Sequence, residues 1–257
     1  MNAPLIMIAP NGARRGRADH PALPVTIPQT IEVARACHEQ GAGALHLHVR
    51  DEAGVHSLDP GLYREALDEL ARVLPDMAVQ ITTESAGLFD VATQLHCLVA
   101  LRPAWASVSV REIARDAALA PRVYATCAEQ GTRVQHILYD QSDAETLHRL
   151  QRDGHLPDTA PEVILVLGKY MPPTDGTPDM LKARVAALPD GAAWSICAFG
   201  GQEQACLIRA AGMGASGLRI GFENNLNRPD GTPWTDMAEA VRSLRSALRA
   251  TPPKAAP

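Results

Sequence analysis

Ala44-Leu45-His46-Leu47-His48-Val49-Arg50 alternates apolar and polar side chains over a length that suits a strand and not a helix. Successive side chains on a strand point to opposite faces, so Leu45, Leu47 and Val49 share one face and His46, His48 and Arg50 the other. A helical stretch near 28–40 precedes this strand and another near 60–73 follows it. The same unit recurs along the chain. Strands are expected at Leu5–Pro10, Ala44–Arg50, Ala78–Glu84, Trp105–Val110, Arg133–Tyr139, Glu162–Lys169, Ala193–Phe199 and Gly217–Phe222. Helices are expected near 28–40, 60–73, 88–98, 119–130, 143–153, 177–187, 202–212 and 235–249. Thr26-Ile27-Pro28 and Leu58-Asp59-Pro60 carry the capping side chain and the proline of a helix start. Gly41 and Gly131 fall just past helix ends, where a left-handed residue is wanted.

Eight strand-then-helix units predict an α/β fold of the (β/α)8 TIM-barrel type, spanning residues 1–250 as one domain. An open doubly wound sheet would share the pattern. Against it, no glycine-rich fingerprint follows the first strand; Pro10-Asn11-Gly12 is only a turn. The tail Thr251–Pro257, rich in Pro and Ala with one Lys, is expected to be disordered.

Composition narrows the class further. The chain has 257 residues, 46% of them hydrophobic but only 4% aromatic, so its core must be built from Ala, Val, Leu and Ile. A formal charge of −5 argues against a nucleic-acid partner. No window approaches the roughly 20 apolar residues of a membrane span. Met1–Pro10 lacks a basic leader and a cleavage site, and reads as a first strand. Five cysteines, an odd number without a CxxC pair, fit reduced thiols in the cytoplasm.

In a barrel the leucine face of the second strand packs on helices, which leaves His46, His48 and Arg50 inward at the mouth. Barrel active sites lie at these C-terminal strand ends. Histidines at i and i+2 on a strand can chelate one metal, Zn2+ foremost, or can be a pair of buried neutral imidazoles. The last strand, Leu218-Arg219-Ile220-Gly221-Phe222-Glu223, puts Arg219, Gly221 and Glu223 on one face. Glu223 can reach across the mouth as a third ligand, giving a site with open positions. The alternative is a carboxylate paired with Arg219 or Arg50. Gln80, Thr82 and Glu84 share a face of the third strand; Ser107, Ser109 and Arg111 share one of the fourth. Hydroxyls and guanidiniums there suit an anionic, oxygen-rich substrate. The basic first loop, with Asn11 and Arg14, lies at the same face and can shape the pocket. None of the cysteines acquires a role.

Taken together, four segments make a specific pattern: Asn11-Gly12-Ala13-Arg14-Arg15 with Asp19-His20-Pro21, His46-Leu47-His48-Val49-Arg50-Asp51, Ile81-Thr82-Thr83, and Arg219-Ile220-Gly221-Phe222-Glu223. In this order they resemble the β-keto acid cleavage enzymes, over residues 5 to 250. The resemblance implies a zinc-bearing barrel that forms homo-oligomers, dimers or tetramers, and condenses a β-keto acid with acetyl-CoA to acetoacetate and a new acyl-CoA. It implies His46, His48 and Glu223 as zinc ligands, Arg219 as the arginine working with the catalytic carboxylate, and Thr82 as a substrate-holding hydroxyl. Asn11, Arg14, Arg50, Ser109 and Arg111 are the expected substrate contacts.

Two departures stand out. The family usually follows its zinc glutamate with an aspartate taken as the general base; here the residue is Asn224, and an amide cannot take a proton. Conversely, Glu84 and Ser85 stand where the family commonly has two glycines, so Glu84 is a candidate replacement base. Other readings are a metal-dependent hydrolase or lyase on the same scaffold and a non-catalytic metal- or ligand-binding barrel. Amidohydrolase-type barrels also carry HxH, but on the first strand and with a different ligand set.

Overall fold

The computed structural model describes residues 3–157 and 159–250. Eight parallel strands form the sheet: β1 (Leu5–Ile8), β2 (Ala44–Leu47), β3 (Ala78–Thr82), β4 (Trp105–Ser109), β5 (Arg133–Leu138), β6 (Glu162–Lys169), β7 (Ala193–Ala198) and β8 (Gly217–Ile220). Each pairs with the next, and β8 pairs with β1, so the sheet closes as a (β/α)8 TIM barrel. Around it lie α1 (Ile27–Glu39), α2 (Pro60–Val73), α3 (Val91–Leu101), α4 (Ala120–Gln130), α5 (Gln141–Arg152), α6 (Met180–Ala186), α7 (Glu203–Ala211) and α8 (Met237–Ala250).

The helix starts follow from their first residues. Thr26 and Gln29 form a reciprocal capping box ahead of α1, and Asp59 accepts from the Gly61 and Leu62 amides ahead of α2. The α3 helix sits three residues later than the sequence suggests, because Asp90 caps it and Arg102 ends it in the left-handed conformation (φ 52°). Several strands are also shorter than expected. After Leu47 the chain leaves the barrel, and Val49–Arg50 pairs antiparallel with His56–Ser57 instead. The expected tail, Thr251–Pro257, lies outside the described residues. Among the described residues no helix is long and apolar enough to cross a membrane.

The aliphatic faces of the strands and the helices enclose one large apolar layer, with Leu45, Leu47, Ile81 and Leu218 fully buried in it. Inside the barrel the apolar content is small. Met7, Ala44 and Trp105 form one group; Ile137, Ile164, Val166, Cys197 and Phe199 form another. The remaining interior is polar, with Gln80, Thr82, Ser107, Gln135 and Arg219 all buried. A buried polar group without a partner costs stability. Such an interior is therefore retained for what it positions.

Candidate active site

His46 is the next-to-last residue of β2, and His48 follows just beyond its end, so both imidazoles enter the barrel mouth. Their Nε2 atoms are 3.2 Å apart. Glu223, three residues past the end of β8, brings its Oε2 to 3.6 Å from each of them. Two glycines make this approach possible. A Cβ at Gly221 would fall 2.1 Å from the Ala9 carbonyl just past β1, and one at Gly12 would fall 2.5 Å from Cγ of Glu223. Gly12 also has φ of +60°, a conformation side chains disfavour.

The three atoms form a triangle whose edges match those of a tetrahedral ion with bonds near 2.1 Å, about 3.4 Å. Glu223 Oε2 is buried and has no hydrogen-bond partner among the described residues. Burial, and then the nearby Arg219 charge, push the His46 imidazole far below its ordinary range, which keeps it a neutral lone-pair donor. Burial alone would raise the Glu223 carboxyl; Arg219 and the two histidines outweigh it and hold the group below the usual carboxylate range. Two imidazoles and one carboxylate, with an orphaned oxygen aimed between them, fit a divalent metal ion. Among the described residues these three form the one group with that geometry.

Arg219 donates from Nη2 to Glu223 Oε1 and to Cys197 Sγ, both at 3.2 Å. Its guanidinium is 4% exposed and lies against Glu223. The cysteines are all free and buried, but Cys197 thus acquires a place that sequence reading did not give it. Its parity with Ser195 on β7 was the available signal. Tyr170, in the loop after β6, donates its hydroxyl to the Glu223 backbone carbonyl, while Arg14 and Arg15 lie over its ring at 5.6 and 5.5 Å. No strand periodicity marks a loop tyrosine, so nothing in the sequence pointed to it.

Glu84 reaches to 3.8 Å from His48 Nε2. Burial raises its carboxyl to about 7; Glu223 and Glu112 push the same way, against His48. Its backbone amide donates to Thr82 Oγ1 at 3.1 Å, and Ser107 donates to the same oxygen at 3.1 Å. Thr82 and Glu84 are thus tied into one unit beside the triangle. Asn224 is fully buried, with neither side-chain atom hydrogen-bonded among the described residues.

Two expected substrate contacts are already bonded within the chain. Arg50 spends its guanidinium on the backbone carbonyls of Gly12 (2.8 Å), Arg15 (2.6 Å) and Gly54 (2.9 Å), so it holds the first loop in place. Arg111 donates from Nε to both carboxylate oxygens of Asp143 at 3.0 Å and from Nη2 to Asp140 at 2.5 Å. Arg111 is paired with two carboxylates, whereas Arg50 keeps its charge but has its Nη donors occupied by carbonyls; parity along a strand says nothing about such partners arriving from neighbouring loops. Ser109 starts a single helical turn at Val110–Ile113, its hydroxyl buried and without a partner among the described residues. Asn11 donates to the His48 carbonyl at 3.4 Å, and Arg14 stays exposed at the mouth.

A buried imidazole–carboxylate triangle at the C-terminal mouth of a (β/α)8 barrel defines a barrel enzyme with a candidate metal centre. The model of the β-keto acid cleavage enzyme family matches residues 4–256, and the chain belongs to that family. Over 229 residues it is 24% identical to the 3-keto-5-aminohexanoate cleavage enzyme of Fusobacterium nucleatum subsp. nucleatum, covering 86% of this chain and 82% of that one. It is 25% identical to the 3,5-dioxohexanoate:acetyl-CoA acetone transferase of Paraburkholderia graminis, covering 95% and 89% respectively. Among solved structures the apo form of ObcA aligns with a TM-score of 0.69 at 17% identity, over 90% of this chain. The chain spans 62% of that protein's length, and the likeness is one of fold.

Proposed function

We propose that the protein is a zinc-dependent acyltransferase that condenses a β-keto acid with acetyl-CoA, giving acetoacetate and a new acyl-CoA. In this exchange the C2–C3 bond of the keto acid breaks, its C3 acyl group ends on the CoA sulfur, and the acetyl group ends on C2. No water or oxidant is consumed. The supporting observation is the triangle of His46, His48 and Glu223, with its unpartnered oxygen, in a chain of this family. The names of the two relatives point the same way, one a keto acid cleavage enzyme and the other an acetyl-CoA-dependent transferase.

A zinc ion held there would act as a Lewis acid on the keto and carboxylate oxygens of the substrate. Glu84 takes the C2 proton: it is the carboxylate beside the triangle that has no arginine partner, and Asn224 cannot serve. Thr82, bonded to the Glu84 amide and to Ser107, presents a hydroxyl to the substrate on the same side. Arg219 keeps Glu223 charged and oriented. Arg14, Asn11 and Ser109 meet the anionic portions of the two substrates. The enzyme works in the cytoplasm, a reading supported by its five free cysteines, and as a dimer or tetramer, a reading supported by the exposed apolar side chains of Val55, Leu88, Val99 and Met171.

Metal analysis of the purified protein, followed by a panel of β-keto acids with acetyl-CoA read by mass spectrometry, tests this. About one zinc per chain is expected, lost in the His46→Ala, His48→Ala double variant, with acyl-CoA formed from at least one keto acid. Water-dependent hydrolysis without acyl-CoA, or metal retained in the double variant, would overturn it.

A further inference from the structure

Behind His46, a row of hydrogen bonds crosses the barrel to its opposite end. His46 Nδ1 lies 2.8 Å from Gln80 Oε1. Gln80 Nε2 donates to Gln135 Oε1 at 3.1 Å, and Gln135 Nε2 donates to Glu162 Oε1 at 2.9 Å. Glu162 is the first residue of β6, and it is ion-paired with Arg133, the first residue of β5. Both lie at the N-terminal face, remote from the mouth. Gln80 and Gln135 come from β3 and β5, alternate strands of the kind that build one interior layer, and both are at most 1% exposed.

The direction of this row is set by its far end. A carboxylate in an ion pair accepts hydrogen bonds and donates none. Gln135 must therefore turn its NH2 toward Glu162 and its oxygen toward Gln80. Gln80 must then give its NH2 to Gln135 and keep its oxygen for His46. That oxygen can only accept, so the His46 proton sits on Nδ1 and the Nε2 lone pair is left facing His48 and Glu223. Reversing either amide would put two oxygens or two NH2 groups face to face. His48 lacks any such support; its Nδ1 is buried without a partner among the described residues.

We infer that Glu162, acting through Gln135 and Gln80, positions His46 by fixing the tautomer that a metal ligand requires. The inference rests on the metal reading above. Partners of this kind behind a ligating histidine are worth about 10–100-fold in metal affinity. Glu162, Gln135 and Gln80 are thus positioning residues; none touches substrate.

The test uses the full chain with zinc as the probe, titrated against a chromogenic chelator, together with 15N shifts of the His46 ring in histidine-labelled protein. Gln80→Leu, which removes the acceptor, should weaken zinc binding by about 10–100-fold. Gln80→Glu, which keeps an acceptor toward His46 but loses the NH2 given to Gln135, should recover zinc binding relative to Gln80→Leu without reaching that of the natural protein. Glu162→Gln, whose amide can face either way, should leave zinc bound more weakly and turn the His46 ring from the Nδ1–H form into a mixture. A purely structural glutamine would not move those ring shifts. Unchanged zinc affinity in Gln80→Leu together with unchanged His46 shifts in Glu162→Gln would overturn the inference. If the natural protein binds no zinc, the metal reading fails by itself, while the ring shifts of the metal-free protein still decide the tautomer. Should Gln80→Leu not fold, Gln135→Leu takes its place, with the same zinc and shift readouts.

Discussion

Glu223 and Glu203 are buried side chains at the same end of β8, and their environments drive them in opposite directions. Glu223 faces the Arg219 guanidinium and two imidazoles, which hold it ionised against the cost of burial. Glu203, at the start of α7, receives only neutral donors: the Gly221 amide at 3.1 Å and the Asn225 side-chain amide at 3.3 Å. Burial, outweighing those two bonds, raises it to about 8. One buried carboxylate is therefore a charge kept for a ligand, and the other is a neutral acid that ties the β8 loop to α7. What separates them is whether a cation is in direct contact: Arg219 is bonded to Glu223, whereas Arg15 and Arg219 act on Glu203 only from a distance, and burial is common to both.

Glu84 is the case that breaks this two-way split most sharply. It lies as near to His48 as Glu223 does, 3.8 Å against 3.6 Å, yet it has no arginine bonded to it. As the proposed base it should carry the largest effect. Base catalysis is worth about 10²–10⁴-fold. Glu84→Gln should lower kcat by a factor in that range while zinc content stays at the natural level, measured on the same preparation. Normal turnover in that variant would return Glu84 to a specificity role.

How far such distinctions were legible from sequence differs between residues. Strand parity alone places His46, His48, Arg219 and Glu223 inward, and the structure brings all four together, because alternation is a property of the backbone itself. Parity placed Arg50 and Arg111 inward as well, but it does not show that both guanidiniums are bonded within the chain. Their partners are loop carbonyls and the acids at the start of α5, whose arrival depends on tertiary packing. Gln80 shows the middle case. Its face was readable, whereas its partner Gln135 lies two strands away and 55 positions along the chain. Helix boundaries follow the same logic: the caps at Thr26 and Asp59 stand in the sequence, but the left-handed stop at Arg102 does not.

A second prediction asks whether Glu223 is bound to its charge in the way the comparison implies. Removing one partner of a buried ion pair leaves the other charge unpaired, at a cost of about 3–5 kcal/mol. In metal-free protein, Glu223→Gln should therefore lower stability by about that amount in denaturant unfolding, because Arg219 keeps its charge without a carboxylate. Removing both charges, as Glu223→Gln with Arg219→Met, should recover a good part of the loss. If the single variant unfolds at the natural denaturant midpoint, Arg219 is neutralised by other means and the contrast with Glu203 fails.

The smallest effect is expected at Glu203, and it takes the form of a pH dependence. A carboxyl raised from its ordinary value near 4.5 to about 8 binds a proton in the folded protein that the unfolded chain has already released. Stability from this group is thus fully present below about pH 4.5 and is lost as pH rises through about 8, with a slope of at most about 1.4 kcal/mol per pH unit. Glu203→Gln keeps an oxygen for the Gly221 amide and cannot ionise. Its midpoint of thermal unfolding should start slightly below that of the natural protein at pH 6, through the altered contact with Asn225. Toward pH 9 it should then fall less steeply, so that the two curves converge or cross. Parallel curves between pH 6 and 9 would mean that Glu203 is already ionised in the folded state. A cation would then have to lie close enough to compensate it, and the difference between the two carboxylates at the end of β8 would be one of degree.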